Sequence, residues 1–148
     1  MRIAQLVSFK TSRFDVTRET PNESNAFAGE SVLRWLRVEL ARHQYESTVP
    51  DMEDWGWYID VKGAGSSYLV GASAEVEYKS EDGSPLSYDV SANAILEWTL
   101  QIHKHRTVME KLLGKNRMAA DDALCALVER IVRSDSLLEE VSVERNAV

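Results

Sequence analysis

The segment Glu53–Asp60 constrains the fold of this chain strongly, because two of the chain's four tryptophans stand two positions apart in it. The side chains of a β-strand alternate between the two faces of a sheet. An apolar series that continues at every second position to Val61 therefore predicts a central strand with one buried face. The predicted buried face consists of Trp55, Trp57, Ile59 and Val61, and the opposite face consists of Gly56, Tyr58, Asp60 and Lys62.

Other segments also repeat with a period of two, which predicts further strands. They are residues 3–9, 68–78, 86–102 and 137–143. The third of these is longer than a usual strand, so we expect a bend or break near residues 91–93. Turns rich in glycine and serine at residues 63–67 and 80–85 separate the middle strands. Strands joined by such tight turns pair in antiparallel fashion.

Helical periodicity predicts three helices between these strands. Ser24 or Asn25 is expected to cap the first helix. Thr107 is expected to cap the second, and Gly114 to end it. Cys125 is expected to be a small core residue of the third. The predicted helices are Ala26–His43, Thr107–Gly114 and Ala119–Arg133.

The predicted order of elements is β-α-β-β-β-α-α-β. A chain of 148 residues has the size of one domain, so we treat residues 1–148 as a single α+β domain. Helices that each carry one apolar stripe must bury that stripe against a sheet. The sequence therefore predicts a two-layer sandwich: a mainly antiparallel sheet of four to five strands with helices on one face.

Cysteine content and hydropathy indicate the cellular compartment in which the protein is expected. Cys125 is the only cysteine, so no disulfide can form within the chain. No stretch approaches the roughly 18 apolar residues of a membrane span, and the first ten residues lack the apolar run of a secretory signal. We therefore expect a soluble protein of a reducing compartment, which in a bacterium is the cytoplasm.

The net charge of −7 is unevenly distributed along the chain. Residues 43–97 contain two Lys or Arg against eleven Asp or Glu, whereas residues 98–117 contain five against one. Binding to nucleic acid needs a continuous basic surface, so this balance argues against it and favours a basic protein partner. The predicted partner-binding residues are acidic or exposed aromatic: Trp35, Asp51, Glu53, Asp54, Trp55, Glu75 and Glu77.

The basic segment supports an alternative of another class, a site for an anion or a metal ion. Cations around a predicted helix start are typical of anion sites, although the P-loop and G-x-G-x-x-G patterns are both missing. His103 and His105 share a strand face and could bind one metal ion, but no third ligand stands at a recognisable spacing. The predicted residues of the alternative anion site are Lys104, Arg106, Lys115 and Arg117.

Patterns for catalysis are weak in this sequence. The carboxylates of Asp51, Glu53, Asp54 and Asp60 could work as an acid–base pair only if burial raised the pKa of one of them. Three of the four are expected in an exposed loop. No serine stands in a G-x-S-x-G turn. We therefore predict no catalytic residue and no cofactor.

Five short motifs span most of the chain: Phe27-Ala-Gly29, Trp35-Leu36, Glu53-Asp-Trp-Gly-Trp57, Trp98-Thr-Leu-Gln-Ile102 and Leu113-Gly-Lys115. In these motifs the chain resembles a group of small uncharacterised bacterial proteins, a resemblance that implies no activity. In size, acidity and lack of a catalytic motif it also resembles the immunity proteins that neutralise secreted bacterial toxins. That second resemblance assigns no role to any residue.

The leading hypothesis is a non-enzymatic cytoplasmic protein-binding module, of the immunity type, that neutralises a basic partner through an acidic surface. The alternative is a small enzyme, or an anion-binding or metal-binding domain, that uses the basic segment His103–Arg117. Self-association through an edge strand near the C-terminus is a further alternative.

Overall fold

The computed structural model describes residues 5–21, 26–79, 87–119 and 121–145. Within these ranges the α-helices are α1 (Glu30–Ala41), α2 (Val108–Leu113) and α3 (Ala123–Ser134). The strands there are β1 (Gln5–Thr11), β2 (Phe27–Ala28), β3 (Glu46–Ser47), β4 (Asp51–Glu53), β5 (Gly56–Gly63), β6 (Ser66–Glu75), β7 (Tyr78–Lys79), β8 (Ser87–Tyr88), β9 (Leu96–Lys104) and β10 (Glu139–Arg145).

The long strands form one antiparallel sheet in the order β10-β1-β9-β6-β5-β3. Strand β2 pairs with β6, β4 pairs with β5, and β7 and β8 form a separate pair. The predicted α+β class and antiparallel pairing are confirmed. The predicted count of four to five strands is wrong, because the main sheet has eight. The predicted order is wrong for the same reason: strands of two or three residues are too short to show a period.

One face of the sheet carries the hydrophobic core. Val7, Leu100, Ala72 and Trp57 stand opposite one another on β1, β9, β6 and β5, and each is at most 2% exposed. Buried side chains of two helices join the same core: Leu33, Leu36, Leu40, Leu124, Leu127 and Val128. Strands β5 and β6 therefore alternate as expected for a sheet with one covered face.

A carboxylate from a distant segment holds the start of α1. Glu19 is buried, and its Oε1 accepts hydrogen bonds from the backbone N–H groups of Gly29 and Glu30, each at 2.9 Å. Its Oε2 accepts one from the N–H of Ser31 at 3.1 Å. Burial raises the pKa of Glu19, and the hydrogen bonds from Ser31 and the backbone oppose that rise.

The first helix begins later than predicted. Residues 27–28 pair with β6, so the helix begins at Glu30 rather than at Ala26, and Gly29 precedes it. A Cβ atom at Gly29 would lie 2.6 Å from the carbonyl oxygen of Ala72, so only glycine lets the chain approach the sheet this closely. The predicted caps, residues 24 and 25, lie outside the described residues.

A second buried carboxylate holds the start of α3. Asp122 is 6% exposed, and its Oδ1 accepts hydrogen bonds from the backbone N–H groups of Leu124 and Cys125 at 3.0 and 3.3 Å. The hydroxyl of Tyr68 on β6 donates to the same carboxylate at 3.0 Å. The ammonium of Lys104 on β9 lies 3.1 Å from Oδ2. Asp122 therefore ties α3 to two central strands.

Other local predictions are largely confirmed. Residues 89–95 interrupt the long run between β8 and β9, and the predicted hairpin turn joins β5 to β6 after Gly63. The second predicted turn, residues 80–85, lies outside the described residues. The last helix starts at Ala123 rather than Ala119, because its cap is Asp122. Among the described residues, none of the helices combines the length and the apolar character needed to cross a bilayer.

Replacing Asp122 with Ala is expected to lower the free energy of unfolding by about 3–5 kcal/mol. The substitution removes a helix cap and leaves the charge of Lys104 buried without its partner. Urea denaturation measures the change. The exposed neighbour Asp121 is the matched control, and Asp121→Ala is expected to change stability by less than about 0.5 kcal/mol. Equal losses from both substitutions would contradict this role for Asp122.

The buried thiol of Cys125 is expected to make the stability of the protein depend on pH in the alkaline range. Burial, followed by the nearby Asp122 carboxylate, raises the pKa of Cys125 from 9.0 to about 12. The unfolded chain releases this proton first, so the contribution is fully present below about pH 9 and is lost as the pH rises toward about 12.

Above about pH 9, the free energy of unfolding of the unchanged chain is expected to fall by about 1 kcal/mol per pH unit because of this thiol. The variant Cys125→Ala is expected to lack that decrease. Urea titrations at about pH 8 and about pH 10, with the variant and the unchanged chain side by side, measure the difference. The same slope in both proteins would show that the thiol does not carry the effect.

Candidate functional site

The sheet has a second face, on the side away from α1 and α3. We call it the open face and define it by the alternate positions of the four central strands. Strand register places Tyr58, Gly71 and Gln101 opposite one another on it, and Asp60, Leu69 and His103 opposite one another in the next row. Most side chains of this face are half-buried or exposed: Leu6, Ser8, Tyr58, Asp60, Leu69, Ser73, Thr99 and Gln101.

Trp55 lies over the open face, which corrects one prediction. The alternation had placed it on the same face as Trp57, but Trp55 belongs to the turn between β4 and β5, where strand parity does not apply. A Cβ atom at Gly71 would lie 2.5 Å from both Cζ3 and Cη2 of the Trp55 indole. The ring therefore rests on the backbone of β6 at the one position without a side chain, and Trp55 remains 37% exposed.

Carboxylates lie around the phenol of Tyr58, which stands opposite Gly71 and so neighbours this indole. Asp51 stands opposite Tyr58 in the pairing of β4 with β5. Glu53 stands opposite Gly56 in the same pairing, and Asp60 follows Tyr58 two positions later on the same face of β5. Burial raises the pKa of Tyr58, and the charges of Asp51, Asp60 and Glu53 raise it further. We call Asp51, Glu53, Trp55, Tyr58 and Asp60 the Trp55 patch. The patch combines two aromatic rings with three acidic side chains on one surface.

The structure brings together only some of the predicted partner-binding residues. Asp54 is exposed in the same turn as Trp55, whereas Glu75 and Glu77 are exposed at and beyond the end of β6. Trp35 lies on α1 in the helical layer, with its ring centroid 5.4 Å from that of Phe14. Trp35 is therefore not part of the patch.

Sequence reasoning left Tyr58 and Asp60 out of the predicted partner-binding set. The sequence does contain a signal for them, because both residues alternate with Trp57 along the strand and so point to the opposite face of the sheet. An aromatic ring in the polar series of β5 and a leucine, Leu69, in the polar series of β6 both indicate a second face with binding character.

Two cations of the basic segment, Lys104 and Arg106, are engaged within the chain. The ammonium of Lys104 pairs with the buried Asp122. The guanidinium of Arg106 donates to the carbonyl oxygens of Lys115 and Glu110, each at 3.1 Å. Lys115 and Arg117 are exposed. An open cleft of about 520 Å³ lies beside them, lined among others by Lys62, Ser66, His105, Arg106, Thr107 and Asn116. Anion binding there stays a prediction.

The two histidines of the segment do not share one environment. His103 is 6% exposed, and its Nε2 lies 3.4 Å from Oε1 of Gln101. His105 follows the end of β9, and its Nε2 lies 3.8 Å from Oδ1 of Asp60. Across the described part of the chain, no three or more His, Cys, Asp or Glu side chains group closely enough to hold a metal ion.

Comparisons with protein-family models, with curated proteins and with solved structures find no match to this chain. The resemblance to small bacterial proteins therefore stays a prediction, and the site is argued from its own geometry.

Replacing Gly71 with Ala is expected to displace the Trp55 indole into solvent, because the added Cβ would overlap the ring. Iodide or acrylamide should then quench the intrinsic tryptophan fluorescence more strongly. In a Trp55→Phe background, the same Gly71→Ala change should leave quenching of the remaining tryptophans unaltered. Quenching that rises equally in both backgrounds would contradict the placement of the indole on Gly71.

Proposed function

We propose that this chain is a non-enzymatic cytoplasmic protein-binding module that occludes a basic partner with the Trp55 patch. The observation that carries the proposal is an indole seated over a glycine on an open sheet face, next to a tyrosine whose surroundings are acidic. The proposed mode is that of an immunity-type protein, which neutralises its partner by stoichiometric binding.

The composition of the patch supports a protein as its ligand. Tryptophan and tyrosine are enriched among the residues that dominate protein–protein binding energy. A pleated sheet face is broad and shallow, whereas sites for small molecules are usually concave. Trp55 and Tyr58 would supply apolar contact area, and the acidic side chains around them would exclude acidic partners.

Charge supports a basic partner. The patch belongs to the segment 43–97, which holds eleven acidic residues against two basic ones. An acidic surface speeds association with a positively charged protein, and this steering weakens with salt. Asp60 also lies 3.8 Å from His105, so the acidic surface ends where the basic segment begins.

The experiment is a pull-down from extracts of the native cell at low salt, with mass spectrometry to identify a stoichiometric protein. Trp55→Ala is expected to weaken binding of the recovered partner at least about tenfold. Asp51→Asn combined with Glu53→Gln is expected to slow association and reduce its salt dependence.

Glu144→Gln, at an exposed position of edge strand β10, is the matched charge control and should leave binding unchanged. Recovery of no stoichiometric protein at low salt, or equal binding by the Trp55→Ala variant, would reject the proposal.

A further inference from the structure

Helix α2 presents its apolar side to solvent. None of its six residues is buried. Val108 is 75% exposed, Met109 62%, Leu112 76% and Leu113 58%. Positions separated by three or four residues lie on one side of a helix, so these four side chains form one continuous stripe. We call them the α2 stripe.

Polar contacts define the N-terminal end of α2. Thr107 and Glu110 form a reciprocal capping box, in which the N–H of Glu110 donates to Thr107 Oγ1 at 3.1 Å and the N–H of Thr107 donates to Glu110 Oε1 at 2.9 Å. The guanidinium of Arg106 donates to the carbonyl oxygen of Glu110. These contacts hold the first turn of the helix, and the exposure of the four apolar side chains shows that the stripe lies outward.

The C-terminal end of the helix is equally well defined. Gly114 adopts the left-handed conformation with φ of 66°, and the N–H of Lys115 donates to the carbonyl oxygen of Glu110 at 2.8 Å. A helix of six residues is unstable by itself in water, so these end contacts are what hold it. Exposed contiguous apolar surface on such a fixed element is typical of an interaction site.

The charges beside the stripe indicate the chemistry of its partner. Lys111, Lys115 and Arg117 are exposed in and after α2, whereas the acidic residue of the helix, Glu110, is half-buried in the cap. The apolar stripe therefore has a basic border. A second copy packed on the stripe by two-fold symmetry would bring these cations against their own equivalents. The net charge of −7 opposes binding to an anionic membrane.

We propose that α2 docks on a partner protein that presents apolar side chains flanked by carboxylates, such as an acidic amphipathic helix. The apolar side chains of the partner would cover the α2 stripe, and its carboxylates would pair with the basic border. The α2 stripe and the Trp55 patch share no residue. They adjoin where Asp60 of the patch lies 3.8 Å from His105, two residues before the cap of α2. The two surfaces favour partners of opposite charge.

The test uses two fluorescently labelled helical peptides with identical leucine spacing, one with glutamate and one with lysine flanking the leucines. Anisotropy titrations of the full chain should show binding of the glutamate peptide only. Leu112→Ser combined with Leu113→Ser should weaken that binding at least about tenfold. Lys111→Glu combined with Lys115→Glu should weaken it and allow the lysine peptide to bind.

Two controls separate this proposal from the proposed function and from unfolding. Trp55→Ala should bind the glutamate peptide as well as the unchanged chain does. The Leu112 and Leu113 substitutions should leave the thermal unfolding midpoint unchanged, because both side chains are exposed.

Several outcomes would overturn the proposal. They are equal binding of both peptides, no binding up to about 1 mM, self-association in sedimentation that the Leu112 and Leu113 substitutions abolish, and flotation with anionic vesicles that depends on the same residues.

Discussion

The buried carboxylate of Asp122 is the interaction on which the rest of this structure depends. It caps α3, accepts the hydroxyl of Tyr68 and pairs with Lys104, so one side chain joins a helix to two neighbouring strands. A buried charge is costly unless it is paired and hydrogen-bonded, and here three groups satisfy it together. Glu19 holds the start of α1 in the same manner from a distant segment. Both long helices are thereby fixed on one face of the sheet.

Helices confined to one face leave the other face for different uses. The covered face needs apolar side chains at matched positions, as the row of Trp57, Ala72 and Leu100 shows. The open face has no such requirement, and it carries an indole laid across the backbone at Gly71 beside Tyr58, whose surroundings are acidic. Trp55 of the turn thus lies on the surface, whereas Trp57, two positions later, lies in the core.

Charge and apolar exposure divide the surface into two regions of opposite character. The acidic segment surrounds the Trp55 patch, and the basic segment borders the α2 stripe. Near β9, the positive charges of Lys104 and Arg106 make contacts within the chain that stabilise the fold. Counting charges along the chain therefore overestimates the basic surface that a ligand could meet. What distinguishes α2 is its outward apolar side, beside which Lys111, Lys115 and Arg117 are exposed.

The sequence by itself determined the α+β class, the long strands and the three helices, because periods of two and of 3.6 report which side of an element is buried. It also determined the caps at Thr107 and Gly114, which depend on neighbouring residues alone. Tertiary structure decided what depends on distant contacts: the short strands added to the sheet, the capping of α1 by Glu19, and the face on which Trp55 lies. The outward orientation of α2 belongs to the same group. The sequence pattern of an apolar stripe is the same whether the stripe faces a core or solvent. Only the packing of the whole chain decides which of the two it faces.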